Sequence, residues 1–123
     1  MIKKAIIISL KGYKLTNEEL SMFKKYLPWG VILFKRNIKN LYQAKQLISS
    51  IKKATKEKNY PIMIDEEGGE VSRLQNILYN KSFSQRFFGK IYEKNSIIGK
   101  NIYKLYINEI SYYLKSVGIN INT

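Results

Sequence analysis

Short β-branched apolar runs alternate along this chain with longer segments whose apolar residues recur every three or four positions, and that alternation leaves few folds open. Lys4 to Leu10 is a nearly continuous apolar run and predicts a strand buried on both faces. Gly12 punctuates it. Thr16 stands three residues before Glu19, the capping-box start of a helix whose stripe is Leu20, Phe23 and Leu27 and which Pro28 ends. Gly30 opens a second run, Val31 to Phe34, followed by Lys35, Arg36 and Asn37. Asn40 predicts the N-cap of a second helix bearing Leu41, Ala44, Leu47, Ile48 and Ile51, closed by a polar, positively charged stretch from Lys52 to Lys58. Pro61 introduces a third run, Ile62 to Ile64, which ends at Asp65.

The rest of the chain completes the pattern. A polar loop holds Gly68 and Gly69, and residues 75 to 90 show no clear period, which predicts irregular loop with room for one helical turn. A long helix is expected from about Glu93 to Val117, with Ile98, Ile102, Leu105, Tyr106, Ile110, Tyr113, Leu114 and Val117 on its buried side and Gly118 as C-cap. Residues 119 to 122 begin a fourth strand. Such an order means parallel βαβ units in an α/β fold. Two architectures fit: a small doubly wound sheet, or part of a (β/α)8 barrel, which needs about 250 residues when whole. No glycine-rich phosphate fingerprint follows the first strand, which counts against a dinucleotide-binding sheet.

Composition narrows the chemistry. With 123 residues, a single domain over 1–123 is the expectation. The chain has neither cysteine nor histidine, so disulfides, thiolate metal sites and histidine acid–base catalysis are excluded. The formal charge of +13 would suit a nucleic-acid partner. Lysine, however, outnumbers arginine 19 to 3, is spread along the whole chain, and accompanies much Ile, Asn and Tyr, as A/T-rich coding would produce. Nucleic acid is therefore not the expected partner. The N-terminal Lys3-Lys4 pair precedes an apolar run, Ala5 to Leu10, too short for a secretion signal, and no run is long enough to span a bilayer. The expectation is a cytoplasmic protein without a membrane partner.

The segment Met63-Ile64-Asp65-Glu66-Glu67-Gly68-Gly69-Glu70-Val71-Ser72-Arg73-Leu74 concentrates the chemistry. Its carboxylates follow a buried strand, at the end where ligands bind in parallel α/β folds. The paired glycines permit φ > 0 or close approach of a ligand, and Arg73 offers a fork of donors. The residues alone equally allow a solvated acidic turn with Arg73 in a surface ion pair. Asp65, Glu66 and Glu67 carry no spaced ligand set, so neither a metal nor a cofactor is expected.

Asp65 to Leu74 resembles the Asp-Gln-Glu-Gly-Gly-Arg-Val-x-Arg-Leu segment of family 3 glycoside hydrolases. Leu15-Thr16-Asn17-Glu18-Glu19 is similar to the family's Leu-Thr-x-Glu-Glu helix start, Gly30 to Ile38 to its second barrel strand and the loop after it, and Leu114 to Asn120 to the entry of its fourth strand. The resemblance covers nearly the whole chain in order and is nearest to the bacterial β-N-acetylglucosaminidase type. It implies the first three and a half βα units of a (β/α)8 TIM barrel, an N-terminal domain cut short. It implies a retaining hydrolase that removes N-acetylglucosamine from recycled cell-wall fragments through a glycosyl-enzyme intermediate. By the same resemblance Asp65 holds sugar hydroxyls, Arg73 supports that aspartate, and Glu67, Gly68 and Gly69 shape the pocket. Three features depart from the pattern: Glu70 stands for arginine, Glu66 for glutamine, and Lys81 to Gly89 lacks a proline.

In that family the histidine acid–base and the aspartate nucleophile follow the fifth and seventh strands, beyond position 123. The resemblance thus implies a fragment inactive alone whose one ligand is an N-acetylglucosamine-containing saccharide. The alternatives are a half-enzyme completed by a separate C-terminal fragment, and a basic nucleic-acid-binding module. Strands in the order 1-2-3-4, Asp65 close to Arg36 and Asn37, and open edges favouring self-association are the structural expectations.

Overall fold

The computed structural model describes residues 2–123. Four strands, β1 (Lys4–Ser9), β2 (Pro28–Leu33), β3 (Ile62–Ile64) and β4 (Ile121–Asn122), form one parallel sheet in the order β1-β2-β3-β4. Helices α1 (Asn17–Tyr26) and α2 (Leu41–Thr55) connect the first three strands, and α3 (Gln85–Lys94) and α4 (Ser96–Val117) precede the fourth. The molecule is thus an α/β fold with the expected strand order.

Local chemistry sets the helix ends. Thr16 Oγ1 accepts from the Glu19 amide and Glu19 Oε2 accepts from the Thr16 amide, which closes the capping box of α1. The other Glu19 oxygen accepts from the Lys11 amide, so this buried carboxylate also ties the end of β1 to α1. Asn40 caps α2 by accepting from the Gln43 amide. Gly118 ends α4 at φ 96°, where a glycine meets no steric penalty.

Register explains why the sheet is two-sided. Val31 pairs with Ile62 and Leu33 with Ile64, and these four side chains are fully buried in one core with Phe23, Ala44, Leu47, Ile48, Ile51, Ile110, Leu114 and Val117 of the helices. The alternate row, Ser9–Ile32–Met63–Ile121, lies on the other face. Its apolar members Ile32, Met63 and Ile121 are only half-buried. At the far end Tyr60 joins β2 to β3: its hydroxyl donates to the Pro28 carbonyl at 2.6 Å. Asn120 and Asn122 clamp β4 onto the β3 segment, accepting from the amides of Ile62 and Glu66.

Several expectations are corrected. β1 is not buried on both faces: Ile6 and Ile7 are 50% and 46% exposed. It is an edge strand with only β2 beside it, so its apolar run finds little cover. Residues 85 to 94 are a helix, not loop, because Ser84 caps it by accepting from the Phe87 amide and Phe88 packs into an aromatic cluster with Tyr103 and Tyr106, ring centroids 5.0 and 4.9 Å away. The long helix starts at Ser96, not near Glu93, since Asn95 breaks away and accepts from the amides of Ile97 and Ile98. Its N-terminal half does not bury the expected stripe: Ile98, Ile102 and Leu105 are exposed, and the turn beside them, at Gly99, meets α3 instead. A Cβ at Gly99 would stand 2.6 Å from the Tyr92 backbone, which explains a glycine inside a helix.

Candidate functional site

Asp65 follows the last residue of β3, at the C-terminal end of the parallel sheet. Arg73 Nη2 donates to its Oδ2 at 3.1 Å, and both side chains are partly exposed. The Arg73 guanidinium also lies 5.6 Å from the centre of the Phe34 ring, and the Arg36 guanidinium lies 4.9 Å from the same ring. The expected neighbours Arg36 and Asn37 do not hydrogen-bond Asp65. They turn to the first strand: Arg36 Nε and Asn37 Nδ2 both donate to the Leu10 carbonyl, and Asn37 also to that of Gly12. Asn37 is fully buried, so its amide must be satisfied where the chain leaves β1.

Glu66, which the sequence marks only as a replacement for glutamine, organises the loop. Its Oε1 accepts from the Gly68 amide and Asn80 Nδ2, and its Oε2 from the amides of Arg73 and Leu74 at 2.7 and 3.0 Å. A buried acceptor with four donors bends residues 66–74 back on themselves and presents Arg73 to Asp65. No periodicity or composition signal reveals this role, because three of the four donors stand 7 to 14 positions away.

The two glycines are required by conformation and space. Gly68 and Gly69 have φ of 76° and 65°. A Cβ on Gly68 would collide with the Tyr106 hydroxyl and stand 2.8 Å from the Phe83 carbonyl oxygen; on Gly69 it would meet the Ser84 side chain at 2.9 Å. Both face protein, not an open ligand space. Glu67 and Glu70 are exposed. Burial pushes the Tyr106 hydroxyl above its ordinary pKa; the Asn80 hydrogen bond opposes that shift and the Glu66 charge adds to it. A neutral phenol beneath the loop follows.

Asp65 and Arg73 offer an acceptor and a fork of donors that can bind polar ligand atoms. Glycosidases need two carboxyl groups flanking the bond. Here Asp65 is paired with Arg73, Glu66 is engaged by four donors, and Glu67 and Glu70 are exposed. Among the described residues no group of three His, Cys, Asp or Glu is spaced to hold a metal. A cavity of about 800 Å³ between α1 and α2 is lined by Leu15, Leu20, Tyr42 and Leu47 and does not reach Asp65 or Arg73. Among the described residues no helix is long and apolar enough to cross a membrane.

No family model matches the chain. A β-hexosaminidase of Haemophilus influenzae is 39% identical over 72 residues, 58% of this chain and 20% of that protein. A family 3 β-N-acetylglucosaminidase from a Paenibacillus strain covers 94% of this chain and 21% of its own, with a TM-score of 0.62; at 23% identity this likeness concerns the fold alone. NagZ from Neisseria gonorrhoeae, solved in complex with N-trifluoroacetyl-D-glucosamine, is 35% identical with a TM-score of 0.52, over 58% of this chain and 20% of that one. The chain is a relative of the family 3 β-N-acetylglucosaminidases. It spans about a fifth of the length of the β-hexosaminidase it matches. The match to these β-N-acetylglucosaminidases agrees with the resemblance carried by Asp65 to Leu74.

Proposed function

We propose that residues 1–123 form part of a family 3 β-N-acetylglucosaminidase barrel, about its first three and a half βα units, and carry its sugar-holding loop without its chemistry. Asp65 accepts from hydroxyls of a terminal N-acetylglucosamine, Arg73 holds Asp65 in place, and Glu67, Gly68 and Gly69 set the loop. The carrying observation is the Asp65–Arg73 pair at the C-terminal end of β3, where parallel α/β folds bind ligands. The N-acetylglucosamine analogue bound by NagZ supports the ligand class. The role belongs to cell-wall saccharide recycling in the cytoplasm, and the chain alone is inactive, since it has no histidine to serve as the acid–base. The exposed β1 favours a second reading, in which a separately made C-terminal fragment completes the enzyme.

The purified chain should not hydrolyse an aryl β-N-acetylglucosaminide. Turnover above buffer background, abolished by Asp65→Asn, would overturn the claim of inactivity. N-acetylglucosamine should shift the backbone amide resonances of residues 65 to 74, and Asp65→Asn should remove those shifts. Their absence in the unmodified chain would overturn the sugar-binding reading.

A further inference from the structure

We propose that the groove between the C-terminal halves of α2 and α4 binds a compact polyphosphate, either free inorganic polyphosphate or the di- or triphosphate group of a nucleotide. The groove lies at the other end of the sheet from Asp65, on helices that lead into the starts of β3 and β4. It involves neither edge of the sheet and does not depend on the sugar reading.

Four lysines meet there. Lys45, Lys52 and Lys53 recur at i, i+7 and i+8 along one face of α2, and the fold brings Lys115 of α4 beside them around a cavity of about 390 Å³. Ser49 adds a hydroxyl. Along the chain these lysines belong to an even scatter, and the tertiary structure gathers them. Among the described residues none of the four pairs with a carboxylate, and no acidic residue lines the groove. α2 carries no Asp or Glu, and Glu57 just beyond it is engaged by Lys3. A Cβ at Gly118 would stand 3.2 Å from Lys52 Nζ, so the glycine that ends α4 also leaves room for the ammonium of the half-buried Lys52.

Magnitudes separate this groove from ordinary helix-end chemistry. Lysines suit a helix C-terminus without any ligand, because that end carries about half a negative charge. Two such ends offset about one of the four positive charges and leave about +3 in one small concavity. Ammonium groups held together without counter-ions repel one another, so a multiply charged anion gains from all of them at once. Lysine binds phosphate as a point charge, whereas a single carboxylate is better met by an arginine fork, and no arginine lines the groove. A nucleic-acid strand asks for an extended basic track with aromatic faces for its bases, and this lining is short and has no aromatic residue. The occupant that fits is compact and carries several negative charges on adjacent phosphates.

The purified chain is titrated with tripolyphosphate while its backbone amide resonances are followed. Binding should saturate at one ligand per chain, with shifts confined to residues 45–56 and 113–119. Lys52→Gln with Lys115→Gln should weaken it about tenfold or more, as loss of charge-assisted contacts does. Lys52→Arg with Lys115→Arg keeps the charge and should retain most of the binding. Lys90→Gln with Lys94→Gln removes the same charge from α3, which packs on the far end of α4, and should change the affinity less than about twofold. Equal weakening by the two Gln pairs, or shifts that spread over the surface without saturating, would overturn the site in favour of the general field of a chain with net charge +13. ADP and pyrophosphate separate the two sources: tighter binding of ADP with further shifts names a nucleotide, equal binding names inorganic polyphosphate, and either result upholds the site. A single-stranded oligonucleotide that displaces tripolyphosphate and shifts amides well beyond the groove would overturn the compact ligand.

Discussion

Glu66 turns a flexible acidic stretch into a fixed turn, and its removal has a calculable direction. Glu66→Ala leaves the amides of Gly68 and Arg73 without acceptors and Leu74 with Ser72 Oγ alone, and should cost about 3 kcal/mol, at the large end for a point change. Glu66→Gln keeps one oxygen and sets an NH2 against two donors, so an intermediate loss is expected. Denaturant melts of the two variants should rank in that order, and equal stability of all three proteins would show that the turn is held by other contacts. Tyr60 supplies a pH test. Burial first, and the Glu57 charge second, push its hydroxyl up to about 12 from 10.0. The folded state therefore prefers the protonated phenol. Its contribution is complete below pH 10 and is lost as pH rises towards 12, where the hydrogen bond to Pro28 also fails. Tyr60→Phe should flatten that alkaline decline in melting temperature.

Helix ends and helix contacts explain which expectations survive. The caps at Thr16, Asn40 and Gly118 depend on residues within a few positions, so they are legible locally. The helix over Gln85–Lys94 is held by Phe88 against Tyr103 and Tyr106 of the next helix, contacts no local window contains. Lys56 offers a direct test of cap energetics. It is exposed and ends α2 at φ 56°, a conformation that costs a side chain about 1 kcal/mol. Lys56→Gly should raise stability by up to about 1 kcal/mol in a chemical melt, and a loss would mean that the lysine side chain stabilises the cap.

At the scale of the molecule, the uncovered sheet face dominates. Burial is worth about 25 cal/mol per Å², and the half-exposed Ile6 and Ile7 with the half-buried Ile32, Met63 and Ile121 leave part of that gain unrealised. If the open edges self-associate, the melting temperature should rise with protein concentration as mass action requires. A concentration-independent, sharply cooperative melt would mean that the four-stranded unit is stable as it stands.

The sequence by itself determined the class of fold, the strand order and the nearness of Asp65 to Arg73. Strand runs, helix stripes and caps are short-range patterns, and the segment from Asp65 to Arg73 is contiguous. Only the tertiary structure decided burial and partnership. β1 reads as buried because its residues are apolar, yet burial depends on what lies beside an edge strand, and β1 has β2 alone. Ile98, Ile102 and Leu105 have helical spacing, yet the neighbouring turn at Gly99 packs on α3 and turns them outward. Glu66 looks like one more loop carboxylate until residues 68, 73, 74 and 80 bring it their donors. Each of these outcomes depends on which distant surface arrives, and spacing along a chain holds no information about that.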